Sequence, residues 1–205
     1  MIRFFSIVIF LFPLIAGAQD ADVTKYFDDG GMGNPRNAIK VDILQAVGGD
    51  VVFSYERFLH DAFSLEVGAG FLRGKYLPPF LTAIDNEEFL SEREGGYKFV
   101  ITPMFHPYED PRDGLIYGLQ FFVRQNKGIS LSSSNEEAGT YDRTDTYIGY
   151  YQGYRFEIGD YLSMELAFSG GFIFFDGGLT NTVGTEILDG SQFNILTSLK
   201  LAFHK

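Results

Sequence analysis

The chain has no cysteine and no tryptophan, only three histidines, and fewer basic than acidic residues: 16 Lys and Arg against 27 Asp and Glu in 205 residues. Without cysteine there are no disulfides, no thiolate chemistry, no cysteine-ligated zinc and no lipoprotein anchor. A formal charge of −11 argues against a nucleic-acid partner, because phosphate binding runs on an excess of Lys and Arg. Past residue 18 no segment approaches the roughly 20 consecutive apolar residues of a membrane helix. There is no G-x-S-x-G, no Walker loop and no His-based metal spacing. No catalytic residue, cofactor or metal ligand is therefore assigned, and no enzymatic activity is expected.

What is present begins with Met1–Ala18. Arg3 precedes the largely apolar run Phe4–Ile15, and Ala16-Gly17-Ala18 is a small-residue cleavage pattern. This predicts a secretory signal peptide over 1–18; the run is too short for a spanning helix and contains Pro13. Residues 19–36, with Asp28-Asp29-Gly30-Gly31 and Asn34-Pro35, lack periodicity and are expected to form a flexible periplasmic tail. The folded part is expected over 37–205.

From Asn37 onward the apolar period is two rather than 3.6, the mark of strands. Eight runs follow it: Ala38–Val47, Val51–Leu59, Phe63–Gly74, Tyr97–His106, Leu115–Gln125, Thr146–Glu157, Tyr161–Phe175 and Phe193–Phe203. Most are longer than the usual soluble strand of about 5–6 residues and suit a tilted bilayer crossing of about 9–11. Sorted by parity, one face, in phase with Ile39, Val51, Phe63, Tyr97, Leu115, Ile148, Leu162 and Phe193, supplies 39 positions along the runs without a charge. The opposite face holds five acids (Asp42, Glu56, Glu66, Glu157, Glu165) and five bases (Lys40, Lys98, Arg124, Arg155, Lys200), among many Gly and Ser.

Alternation alone leaves open which face is inside; a soluble lipid-binding barrel would turn its apolar face inward. Two features favour polar-in. An eight-stranded barrel has room only for side chains, and the apolar face is the one crowded with aromatics. Matched charges also suit a closed interior, where an unpaired ion is costly. The expected fold is thus an all-β, eight-stranded antiparallel up-and-down transmembrane barrel. Its ten inward charges are expected to form an ion network, with Lys40 near Glu56 and Arg155 diagonally across from Glu165.

The gaps between runs agree, with one exception, the tight turn Gly48–Asp50 where a long loop would fit the alternation. His60–Ala62, Pro107–Gly114 and Ile158–Asp160 are short or compact; Leu77–Gly96, Lys127–Asp145 and Asp176–Gln192 are long and read as acidic loops, with 12 acids against 3 bases. Those acids invite a divalent cation, but no D-x-[DN]-x-[DN]-G run occurs, and a solvated surface accounts for them. Two residues break the pattern. Arg57 falls on the apolar parity, so a bulge or an interfacial position is expected at Glu56–Phe58. Pro103 cannot donate to a ladder, so a bulge is expected there too. Arg57-Phe58 with Ser64-Leu65-Glu66 is echoed by Arg155-Phe156 with Ser163-Met164-Glu165.

Asn37-Ala38-Ile39-Lys40-Val41-Asp42, Ser54-Tyr55-Glu56-Arg57 and Phe63-Ser64-Leu65-Glu66-Val67-Gly68-Ala69-Gly70-Phe71 resemble the small outer-membrane β-barrel proteins common in Bacteroidota, and the architecture is similar to the OmpA transmembrane domain. Leu199-Lys200-Leu201-Ala202-Phe203 resembles a C-terminal assembly signal, followed here by His204-Lys205. The resemblance implies the cell outer membrane with both termini in the periplasm, contact with outer-membrane lipid and lipopolysaccharide, insertion by the barrel-assembly machinery, and no single function. Some such barrels are envelope-lipid enzymes using a His base beside Ser or Asp. His60, His106 and His204 all fall at the periplasmic rim, away from the long loops. The expectation is a plugged, non-enzymatic barrel with acidic surface loops and a structural or interaction role, as an accessory subunit beside other outer-membrane proteins. A small transport pore, an envelope-lipid-modifying enzyme and a soluble lipid-binding barrel are the alternatives.

Overall fold

The computed structural model describes residues 37–60, 62–73, 91–108, 112–131, 137–159, 161–180 and 185–204. The expected signal peptide (1–18) and tail (19–36), and residues 77–90 of the first expected loop, lie outside the described residues, while residues 91–96 of that loop belong to strand.

Strands β1 (Asn37–Asp42), β2 (Asp50–His60), β3 (Phe63–Leu72), β4 (Ser91–Phe105), β5 (Gly114–Leu131), β6 (Glu137–Gly159), β7 (Leu162–Thr180) and β8 (Thr185–His204) pair in chain order, and β1 closes on β8. Every pairing is antiparallel. The chain is an eight-stranded, all-antiparallel closed β-barrel.

The first strand departs from expectation. The alternating run to Val47 ends as a strand at Asp42, and Ile43–Val47 form one turn of helix, α1. Asp42 explains the switch: its side chain accepts from the Gln45 backbone N–H at 3.0 Å, a helix cap no strand can provide. Gly49, at φ 93°, then takes the left-handed step that returns the chain to β2. The result is a short β1 that pairs β8 only through Ala38–Asp42 opposite Lys200–His204. Farther along β8, α1 packs where β1 would have continued.

The later strands are longer than expected. Most of the two segments read as loops, Lys127–Asp145 and Asp176–Gln192, is strand: β5 and β6 pair from Gly114↔Arg155 to Leu131↔Glu137, and β7 and β8 from Leu162↔Phe203 to Thr180↔Thr185. Apolar alternation vanishes there because polar side chains occupy both faces, although Thr140, Tyr141, Thr144 and Thr146 favour extended backbone.

Arg57 keeps the outward phase and stays exposed, donating to Asn37 Oδ1 at 2.6 Å beside the barrel's end. The register shift falls just beyond it, between Phe58 and His60. Pro103 makes no bulge either. The β4–β5 register is the same on both sides of it, from Ile101↔Phe121 to Met104↔Gly118, and Pro103 stays paired to Leu65. The missing donor costs rungs on one side of the strand without shifting its phase.

Which face is inside is settled by exposure. All 39 uncharged positions are at least partly exposed except Tyr117, at 7 %. The interior is polar and filled. Its apolar parts are small clusters: Val52, Val100, Phe122, Tyr147 and Ile173 in one layer, Met104, Ile116, Tyr151 and Ala167 in another, Ala38, Phe58 and Ala202 at the end where β1 begins and β8 finishes. Glycine makes room for this filling. Gly149 and Gly171 face each other across β6 and β7, and a Cβ on Gly171 would meet Ile148 O at 2.2 Å.

Candidate functional site

The largest concentration of chemistry is the charge column along the barrel axis. Its lower layer is built from β1, β2, β3, β6, β7 and β8, each contributing one charge at the inward phase. Lys40 Nζ lies 2.9 Å from Glu56 Oε2, Glu66 Oε2 and Glu165 Oε2. Arg155 Nη2 reaches Glu56 Oε2 at 2.9 Å and Glu165 Oε2 at 2.6 Å, and Lys200 Nζ donates to Glu66 Oε1 at 2.8 Å. Three bases thus face three acids, and all six residues are buried. Ser54 Oγ donates to Glu66 at 2.8 Å, and Tyr151 Oη donates to Glu165, so the remaining carboxylate lone pairs are occupied.

Above this layer Asp42, Gln45, Lys98 and Lys200 line a small cavity with room for about one water. Lys98 Nζ donates to Gln45 Oε1 at 2.6 Å and sits 4.4 Å over the Phe122 ring. The upper layer centres on Asp145. It accepts from Arg124 Nη2 at 2.7 Å and Asn126 Nδ2 at 2.8 Å, and lies 2.9 Å from Arg143 Nε; Arg124 Nη1 is 3.7 Å from Asp50. Counting both layers and the Asp42–Lys98 level, six carboxylates (42, 50, 56, 66, 145, 165) meet six cations (40, 98, 124, 143, 155, 200).

Nine of the ten residues read from sequence as an interior network are brought together: Lys40, Asp42, Glu56, Glu66, Lys98, Arg124, Arg155, Glu165 and Lys200. Glu157 is not. It lies at the register shift between Glu157 and Gly159, is exposed, and sits 3.7 Å from Arg112 at the rim. It keeps the inward register, opposite the buried Ser163, but it is the last rung before the shift, where the barrel ends, so the side chain is exposed at the rim rather than enclosed. Sequence reasoning in turn missed Asp50, Arg143 and Asp145, which had been given to a turn and a loop. The signal existed: Arg143 and Asp145 share phase with Tyr147, Tyr151 and Arg155.

Two Ser–His contacts close the lower end. Ser64 Oγ lies 2.7 Å from His106 Nε2, and Ser163 Oγ lies 2.6 Å from His204 Nε2. The echoed sequences Ser64-Leu65-Glu66 and Ser163-Met164-Glu165 generate both. In each half the Ser is two rungs from the His, just after a register shift in the preceding hairpin. In the Ser–His–Asp arrangement an acid on the far nitrogen holds the imidazole. Here Glu56 Oε1 instead accepts from Ser64 Oγ at 2.5 Å and lies 3.5 Å from the same Nε2. Ser64, Ser163, His106 and His204 are all buried. The Phe58 ring sits between the two imidazoles, 5.6 Å from His106 and 6.3 Å from His204. These groups fill the lower end of the barrel. Among the described residues no group of three or more His, Asp or Glu is arranged to hold a metal.

No family model, curated protein or solved structure matches this chain. The chain presents two surfaces: an apolar outer wall whose charges lie toward its ends, and a charge-neutralised, filled inside.

Proposed function

We propose that the chain is a plugged outer-membrane β-barrel with a structural or interaction role, serving as a non-enzymatic accessory subunit in the envelope. The observation that carries this is the outward face. On β6 its apolar stretch runs from Ile148 to Ile158; ten steps at about 3.4 Å, tilted by about 40°, span about 26 Å, close to the ~25 Å band of a bilayer-spanning barrel. Aromatic pairs mark both ends of the band: Phe63–Phe105 and Tyr154–Phe156 on one side, Tyr97–Phe99 and Phe172–Phe193 on the other. They suit the headgroup levels.

The filled interior argues against a pore, because the two charge layers and the Phe122–Tyr147 stack leave no continuous path. The buried Ser–His contacts give an envelope-lipid enzyme no accessible nucleophile. In this reading the termini face the periplasm, and β5–β8 carry hairpins well beyond the bilayer. The wall contacts outer-membrane lipid and lipopolysaccharide, and the alternating Leu199-Lys200-Leu201-Ala202-Phe203 strand serves the barrel-assembly machinery.

The test is expression with the leader, followed by membrane fractionation and gel mobility with and without heating. The folded protein is expected in the outer-membrane fraction, migrating faster before heating, and silent in planar bilayers. Recovery in the soluble fraction defeats the membrane reading; steady ion conductance defeats the plug.

A further inference from the structure

Among the 39 uncharged outward positions, only Gln152 and Thr197 carry polar, non-aromatic side chains. They lie on either side of Phe168: β6 pairs Gln152 with Phe168, and β8 pairs Thr197 with Phe168. Each sits near the midpoint of its strand's apolar stretch, Ile148–Ile158 on β6 and Phe193–Phe203 on β8. Gln152 is half-exposed, and its amide has no hydrogen-bond partner among the described residues. Next to it the wall is indented. Gly170 pairs with Tyr150, and a Cβ there would meet only the Phe193 ring at 3.5 Å, so a notch opens between Phe168 and Phe172.

An unbonded amide costs little in water but several kcal/mol in hydrocarbon, where nothing else can hydrogen-bond to it. If the barrel wall lies in lipid, as proposed above, Gln152 needs a partner from outside the chain at mid-bilayer depth.

We propose that the partner is a second copy of this chain, docked across β6–β8 about a two-fold axis at Gln152. A carboxamide carries both donor and acceptor, so it is complementary to itself; one two-fold operation satisfies both amides with two hydrogen bonds. The Gly170 notch lets the two walls approach closely enough, as small residues do at interfaces within membranes. The surrounding band is free of charge, so two strongly acidic chains meet there without like charges opposed. The carboxylates of Asp142, Asp176 and Asp189 lie beyond the apolar stretch.

The chain lacks cysteine, so single reporters are clean. Tyr154→Cys on β6 and Phe99→Cys on β4 would each be expressed in the full-length protein and oxidised in isolated outer membranes. Tyr154→Cys is expected to give a disulfide dimer, and Phe99→Cys none. Adding Gln152→Leu should weaken the dimer roughly tenfold, about 1.4 kcal/mol, measured on the detergent-folded protein by sedimentation, while gel mobility before heating stays that of the folded barrel. Gln152→Asn should restore part of the loss. An inserted, heat-modifiable barrel that never dimerises overturns the proposal and leaves the membrane reading standing. Equal cross-linking from Phe99→Cys, or capture of a different protein by Tyr154→Cys, overturns the second copy as occupant. A chain that does not insert overturns both.

Discussion

Removing one charge from the lower layer should cost far more than removing two. Arg155 is the test case, being wholly buried and touching two carboxylates, Glu56 at 2.9 Å and Glu165 at 2.6 Å. Arg155→Met keeps much of the volume but leaves three carboxylates facing Lys40 and Lys200 alone. Breaking a buried pair by deleting one partner typically costs about 3–5 kcal/mol, because the surviving charge stays desolvated. Lys40 still holds both orphaned carboxylates at 2.9 Å, so the low end of that range, about 3 kcal/mol, is expected. Arg155→Met with Glu165→Gln returns the layer to two charges of each sign. The Gln amide can still accept from Tyr151. The double variant should therefore recover at least half of the loss, a coupling of about 1.5 kcal/mol or more. Urea unfolding of the lipid-folded protein, followed by circular dichroism and by gel mobility, reads this directly. With a slope of about 2 kcal/mol per molar, the single variant's midpoint falls by about 1.5 M and the double's by about 0.75 M or less. Two results would refute the reasoning: a single variant within 1 kcal/mol of wild type, or a double variant whose loss is the sum of the two singles.

Leu119→Arg puts a charge at the middle of the outer face, where Leu119 is 49 % exposed; folding into bilayers should lose about 2–4 kcal/mol, read as a lower folded fraction in urea titrations. The inward, buried position of Ile116 makes a contrast: Ile116→Val should cost only about 1 kcal/mol in the same assay. Gly171→Val drives a side chain into Ile148 O and Gly149 Cα, at 2.2 and 2.3 Å from the ideal Cβ, so it should block barrel closure; heat-modifiable mobility at wild-type yield would show the strands can part to admit it. Ser163→Ala removes the bond to His204 Nε2 at 2.6 Å and should lower stability by about 1–3 kcal/mol without creating or abolishing an activity.

Much of the architecture was legible in the chain because a strand's period of two is local. Ile39, Phe53, Leu65, Phe99, Leu119, Phe168 and Ile195 announce an apolar face wherever neighbouring residues are read, and the barrel's wall follows from repeating that reading eight times. The legible part stopped where phase stopped being local. Asp42 could be read as one more inward strand residue, but its carboxylate finds the Gln45 N–H and starts a helix. Glu157 counted as inward by its phase, which it keeps, but the barrel ends at that rung and leaves it exposed at the rim. Arg143 and Asp145 looked like loop residues because both faces of their strand are polar, yet their phase takes them into the lumen.

The sequence by itself determined the centres of the eight strands, the separation of an uncharged face from a charged one, and the balance of charge on the second, since each depends only on residue identity and parity. Only the closed barrel decided which charges meet. Lys40, Glu56, Glu66, Arg155, Glu165 and Lys200 are spread over 160 residues of chain, and closure brings them within a few ångströms. The lumen is too narrow for each ion to keep its own water, so each must take its neutralising partner from across the barrel, and that choice is set by stagger and closure rather than by proximity in the chain.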